Sequence, residues 1–199
     1  MNKFAANFIL SFRVISDPRK YRSEIVKEST TQGIGLYYYF LFPLVLLASA
    51  FDAFQISYAD GGKSGLYAFS ISLLSWAVLL SIIIFGISYF LRRSKVYSID
   101  FIYCLSFALI WLPIAEIVHF LLVSTLGIYG RFLGGWPVIL GSIWLANFCI
   151  KEIIYESLTL EINKMRALFN RITVFIFVLV ILIPLLAKML IERMVLNVL

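Results

Sequence analysis

Apolar residues along this chain fall into five long runs, and polar breaks separate the runs. A bilayer core about 30 Å thick needs about 20 apolar residues per helix, and each run approaches or exceeds that length. The pattern therefore predicts five transmembrane helices. They lie near residues 34–54, 66–91, 99–124, 133–150 and 172–191.

The residues before the first run are more polar, which predicts an N-terminal segment (1–33) ahead of a membrane domain (34–199). Apolar side chains recur there at helical spacing and predict a short helix lying in the membrane interface. They are Phe4, Phe8, Ile9, Phe12 and Ile15. Asp17 and Pro18 predict the end of this helix, with Asp17 as N-cap of a second one and proline in its first turn. Gly33 predicts where that second helix ends.

The polar segment between the fourth and fifth runs has a helical period as well. Its apolar positions follow one another at steps of three or four: Ile154, Leu158, Ile162, Met165 and Phe169. The stripe predicts a helix that packs on the protein's own cytoplasmic face or binds a partner. The expected fold is therefore all-α: a polytopic membrane protein with five transmembrane helices and amphipathic cytoplasmic helices.

Composition supports a membrane protein and excludes other classes. Of the 199 residues 62% are apolar and 14% charged, and the mean hydropathy is +0.96. Soluble domains have about 45–50% apolar and about 25% charged residues. Such a chain is too apolar to be disordered or to face water on all sides, so the lipid bilayer is its first expected partner. Nucleic-acid binding is not expected, despite the net charge of +6.

The basic residues predict the orientation of the chain. Thirteen of the 17 Lys and Arg residues lie before the first run, after the second or after the fourth, and four lie on the opposite side. Because Lys and Arg stay on the cytoplasmic side, the N-terminus is expected in the cytoplasm and the C-terminus outside. Arg19, Lys20 and Arg22 are the best candidates for contact with anionic lipid head groups.

The third run carries two ionisable residues at membrane depth, Glu116 and His119, three positions apart on one helix face. Charged side chains there cost about 2.5–3.5 kcal/mol, so we expect a hydrogen-bonded pair. It could serve a proton relay or offer metal ligands, or it could simply tie helices together. Two further carboxylates, Asp52 and Asp100, are expected near span ends, where water reaches them.

No metal, cofactor or catalytic site is predicted. His119 is the single histidine, and the two cysteines, Cys104 and Cys149, are isolated in apolar runs where they are expected to pack. The nucleophile-elbow, zinc-protease and P-loop motifs are absent from the sequence. We therefore expect a protein that is not an enzyme.

Prolines and glycines interrupt the runs. Pro43, Pro113 and Pro184 fall within spans and predict kinks, or else discontinuous helices at a substrate site. The segment GIYGRFLGG predicts a flexible turn before the fourth span. Two glycines, Gly134 and Gly141, are expected to allow close helix packing.

Three segments resemble the Yip family, the Ypt/Rab-interacting membrane proteins. DPRKY before a proline-containing span resembles the family's opening, and CLSFALIWLP resembles its approach to a mid-span proline, with Pro113 in the matching place. WLANFCIKEIIYESLTLEINKMRALFNRITVFI resembles its fourth-span exit and the start of the fifth span, with Arg166 and Ala167 matching.

This resemblance implies a five-span, non-enzymatic protein that acts in membrane organisation or trafficking through contacts with other membrane proteins or with itself. The short N-terminal segment fits a compact prokaryotic-type member in a cytoplasmic membrane and does not favour binding of small GTPases. The alternative is a small transporter or channel subunit with a polar path at Glu116 and His119.

Overall fold

The chain is described from a computed structural model, which covers residues 2–59, 65–93, 99–157 and 162–196. A π-helical segment (Tyr37–Leu41) lies between the third and fourth helices. In chain order the helices are α1 (Lys3–Ser16), α2 (Pro18–Gln32), α3 (Ile34–Leu36), α4 (Phe42–Ala59), α5 (Gly65–Arg93), α6 (Ile99–Leu109), α7 (Trp111–Leu126), α8 (Ile128–Gly134), α9 (Trp136–Ser157) and α10 (Ile162–Leu196).

Five helical stretches among the described residues are long and apolar enough to cross a membrane, which confirms the predicted number and the all-helical class. They are Ile34–Gln55, Gly65–Leu91, Tyr103–Leu126, Ile128–Tyr155 and Arg166–Ile183. Their mean hydropathies run from 1.5 to 2.4. Their buried side chains form one core, to which α4, α5, α6, α7, α9 and α10 all contribute.

The two predicted N-terminal helices are present, and their junction has the expected chemistry. The Asp17 carboxylate accepts a hydrogen bond from the backbone N–H of Lys20 at 3.4 Å, and Pro18 occupies the first turn of α2. Proline suits this position because its missing N–H would have no helical partner there. Gly33 ends α2 with φ +52°, a conformation that glycine adopts without steric cost.

This N-terminal helix pair packs onto the bundle. Leu10 and Val14 of α1 and Ile25 of α2 are buried and belong to the common core, and α2 lies against α6 and α9. The Ser29 hydroxyl and the Cys104 thiol, 2.6 Å apart, join α2 to α6. The α1–α2 pair is therefore anchored by its apolar side chains to the side of the bundle formed by α6 and α9.

The third apolar stretch is divided into α6 and α7 at Ile110, three residues before Pro113. A proline has no N–H to donate to the carbonyl four residues earlier, and its ring clashes with that carbonyl. Here the carbonyl belongs to Leu109, the last residue of α6. Pro113 itself is buried.

The segment GIYGRFLGG is a helix rather than a flexible turn, so that prediction was wrong. Gly127 makes the turn with φ +56°, and α8 then folds back along α7. The two helices approach so closely that a Cβ at Gly130 would overlap the backbone carbonyl of Leu122. The fold-back therefore depends on two glycines: Gly127 adopts the positive φ of the turn, and Gly130 lets α8 approach α7 because it has no side chain.

Gly134 and Gly141 differ in how closely they pack. A Cβ at Gly134 would lie 3.1 Å from Nδ1 of His119, so this glycine does allow a close approach. Around Gly141 nothing lies within 4 Å of such an atom. The prediction of close packing at Gly141 was therefore wrong.

The other two in-span prolines lie in different surroundings. Pro43 comes two residues after the π-helical segment, in which the N–H of Phe42 bonds to the carbonyl of Tyr37. Such segments are local departures from the α-helical ladder. Pro184 lies within α10, and its side chain is outside the described residues.

Of the apolar stripe predicted between the fourth and fifth spans, the structure describes only the side chains at the two ends. Ile154 is buried, and Phe169 packs against the core and stacks on Tyr155. Leu158 is outside the described residues, as are the side chains of Ile162 and Met165.

Candidate functional site

Polar side chains from three apolar helices meet in one place, and we refer to Asp52, Ser72, Glu116 and His119 as the polar cluster. The Ser72 hydroxyl on α5 donates a hydrogen bond to Oδ2 of Asp52 on α4 at 2.5 Å. The carboxyl groups of Asp52 and Glu116, the latter on α7, are hydrogen-bonded to each other. The consecutive helices α4 and α5 and the more distant α7 are thus linked by adjacent polar contacts.

His119 lies about one turn further along α7 than Glu116 and bonds to the backbone. Its Nδ1 lies 2.7 Å from the carbonyl oxygen of Gly134, the last residue of α8. A carbonyl oxygen only accepts hydrogen bonds, so Nδ1 carries the proton and donates it. His119 thus donates a hydrogen bond to the Gly134 carbonyl at the break between α8 and α9.

The cluster lies at a similar distance from one end of all its helices. Asp52, Ser72 and His119 are each seven residues, about 10 Å, from the α4–α5 end of the bundle, where α4 and α7 end and α5 begins. Glu116 is about one turn deeper. The four side chains therefore lie at similar levels, about two to three helical turns from this end of the bundle.

The predicted pair is therefore connected differently from what the spacing suggested. Glu116 bonds to Asp52 and His119 to Gly134, so each has a partner from another helix. Asp52 belongs to the cluster and lies near a span end, as the sequence predicted, since the first apolar stretch ends at Gln55. Its position inside the predicted span 34–54 was a signal that Asp52 could contact polar residues of other spans. The side chain of Asp100 is outside the described residues.

In the described part of the chain no group of three or more His, Cys, Asp and Glu residues has a geometry that could hold a metal ion. The two cysteines in it, Cys104 and Cys149, are both buried. The oxygen atoms of the cluster come from two carboxyls and a serine hydroxyl. Such a set suits protons and hard cations better than transition metals.

A cavity of about 230 Å³ lies elsewhere, between the π-helical segment, α4 and α5. Val45, Leu73 and Leu80 line it with apolar side chains, and Tyr37 is the one residue with a polar side chain in its lining. It therefore offers room to an apolar group rather than a path for ions.

The three basic residues predicted to contact anionic lipid lie at the start of α2. Arg19 and Lys20 are exposed, and Lys20 Nζ lies 5.2 Å from the centre of the Tyr21 ring. Arg22 is turned towards the bundle, with its Nη1 3.9 Å from Oε2 of Glu152 on α9. Arg19 and Lys20 are thus free to face outward, whereas Arg22 contributes to the docking of α2.

Comparison with protein-family models, curated proteins and solved structures gives no match for this chain.

Proposed function

We propose that this chain is an integral membrane protein of the Yip type that works without catalysis, as an interaction or scaffold protein. The α4–α5 end of the bundle faces outward and the docked α1–α2 pair faces the cytoplasm, as the distribution of Lys and Arg favours. Its partners are other membrane proteins or a second copy of itself. A prokaryotic cytoplasmic membrane is the proposed location.

One observation carries this proposal: the polar groups of the cluster bond to one another across helices and so hold the helices together. Asp52 accepts from Ser72 and is bonded to Glu116, while His119 donates to Gly134. Polar groups in an apolar medium favour a structure in which they remain paired. A bundle tied in this way presents a constant outer surface, which a scaffold requires.

The surface proposed for helix contact is the α5 outer face, an exposed stripe of five residues at helical spacing. Its members are Leu74, Ala77, Val78, Ser81 and Phe85. In lipid, apolar burial does not drive helices together, and small residues favour association because they let backbones approach. Ala77 and Ser81 are four residues apart and supply that pattern.

Cysteine crosslinking in native membranes tests the proposal. Ser81→Cys should give a reproducible crosslinked species with a partner or a second copy under mild oxidation. Val174→Cys on α10 is the matched control, since Val174, like Ser81, is exposed on an apolar helix. Crosslinking at neither position, or equally at both, would count against a specific contact at the α5 outer face.

The second candidate function is a small transporter or channel subunit. It is favoured by one observation, the meeting of two carboxyl groups and a histidine between helices that are apolar enough to span a membrane. Ion flux into liposomes that contain the purified protein distinguishes the two candidates. Flux that disappears in Glu116→Gln would favour transport over scaffolding, whereas flux equal to that of empty liposomes would favour scaffolding.

A further inference from the structure

Asp52 and Glu116 form a contact that two ionised carboxylates could not make. An ionised carboxylate only accepts hydrogen bonds, so a bond between two carboxyl groups contains a proton. Two negative charges in contact would also repel strongly in an apolar medium. The geometry of the pair therefore requires one positive charge between or beside the two groups.

A second, independent observation concerns Ser49, which lies one turn from Asp52 on α4. Ser49 is 0% exposed, and its hydroxyl has no hydrogen-bond partner among the described residues. It precedes Asp52 by three positions, so both side chains lie on one face of α4. A buried hydroxyl without a partner is costly, and this one lies one helical turn from Asp52 on the same face of α4.

We propose that Asp52, Glu116, Ser72 and Ser49 form a binding site for one small monovalent cation, occupied by a proton or by Na⁺. The donor set consists only of oxygen atoms, the type that hard cations prefer. The bound charge joins α4 to α7. This inference goes beyond the scaffold function and holds whether or not an ion crosses the membrane.

The charged and titratable groups around the site are few. His119 on α7 acts electrostatically on Asp52; its Nδ1 is engaged with Gly134, and a second proton on Nε2 would place a positive charge near the carboxyl pair. On α4 and α5 the tyrosines Tyr58 and Tyr67 are exposed towards the helix ends, and Arg131 on α8 is exposed. The charged residues of α9 lie at its far end. No described lysine or arginine therefore supplies the positive charge in place of a bound cation.

The sign of the pH effect follows from proton counting. With a proton held in the site, the folded protein binds more protons than the unfolded chain, so its stability falls as pH rises. Where Na⁺ can replace the proton, adding Na⁺ at alkaline pH restores the stability. A large organic cation does not fit between the carboxyl groups and gives no such recovery.

Two measurements test the site on the purified full-length protein in lipid nanodiscs. The first is the infrared band of a protonated carboxyl group at neutral pH in sodium-free buffer. It should be present in the wild type, lost in Glu116→Gln, and retained in Glu24→Gln, which alters an exposed carboxylate on α2. Absence of the band from the wild type, or its persistence in both variants, would overturn the assignment of the proton.

The second measurement is thermal stability against pH, with either Na⁺ or N-methylglucamine as the cation. The wild type should lose stability as pH rises, and recovery in Na⁺ alone identifies sodium as a ligand, whereas no recovery identifies the proton. The double variant Asp52→Asn/Glu116→Gln keeps hydrogen-bonding groups without charge, so its pH dependence should disappear. A double variant that follows the wild-type curve would overturn the proposal.

Discussion

His119 donates a hydrogen bond from Nδ1 to the carbonyl oxygen of Gly134, and the two atoms lie 2.7 Å apart at the break between α8 and α9. A helix break leaves backbone carbonyls without an intrahelical donor. In an apolar medium such a carbonyl needs a partner from elsewhere. The single histidine of the chain thus stabilises the fold-back that brings α8 against α7.

Removing this donor should destabilise the protein. We expect His119→Ala to cost about 1–3 kcal/mol, because the Gly134 carbonyl would be left unsatisfied. His119→Gln, which retains a donor of similar reach, should cost less. Unfolding of the purified protein measures both variants, and equal losses would argue against the hydrogen bond as the cause.

The protonated ring nitrogen can be observed directly. Because the chain has one histidine, ¹⁵N NMR of labelled protein gives an unambiguous imidazole signal. We expect Nδ1 to be protonated and hydrogen-bonded. A spectrum with the proton only on Nε2 would contradict the bond to Gly134.

Gly130 should tolerate no side chain. A Cβ there would overlap the backbone carbonyl of Leu122, which cannot rotate away, so α8 would have to move off α7. We expect Gly130→Ala to cost more than the 1–3 kcal/mol typical of overpacking. Gly141→Ala is the matched control, since nothing lies within 4 Å of the added atom, and it should be neutral or stabilising.

A side chain at Gly86, where α5 packs against α10, should destabilise the protein less than one at Gly130. The added Cβ of Gly86→Ala would overlap the far end of the Phe175 ring, which is a side chain and can shift. We expect a loss of about 1–3 kcal/mol. Adding Phe175→Leu should recover part of it, and strictly additive effects in the double variant would show that the two residues are not in contact.

The docking of the N-terminal pair depends on Ile25, which is 0% exposed on α2. We expect Ile25→Ala to cost about 2–5 kcal/mol and to speed trypsin cleavage after the exposed Arg19 and Lys20, because cleavage requires local unfolding of α2. Glu24→Ala changes an exposed neighbour and should stay within about 0.5 kcal/mol of the wild type. Equal rates of cleavage in the two variants would mean that α1 and α2 are not held by this contact.

Sequence patterns predicted the features that local chemistry determines. The five apolar helices follow from the length and hydropathy of the runs, and the start of α2 follows from Asp17 and Pro18. Each of these signals lies within a few neighbouring residues or within one run. They need no knowledge of how the helices pack.

The contacts between helices could not be predicted in the same way. The whole second span and part of the third lie between Asp52 and Glu116 in the sequence, and nothing local to either residue indicates the other. The spacing of Glu116 and His119 showed that they share a helix face, but not that each bonds to a different helix. The fold-back of α8 depends on the φ of Gly127, and glycine allows several values of φ.

The central claim is that Asp52 on α4 and Glu116 on α7 are in direct contact within the bundle, and a double-mutant cycle of unfolding free energies tests it most directly. Asp52→Ala, Glu116→Ala and the double variant should give a coupling energy of about 0.5–3 kcal/mol, as residues in contact do. The distant pair Asp52→Ala and Glu24→Ala should be additive within about 0.3–0.5 kcal/mol. A coupling between Asp52 and Glu116 no larger than that of the distant pair would contradict the account.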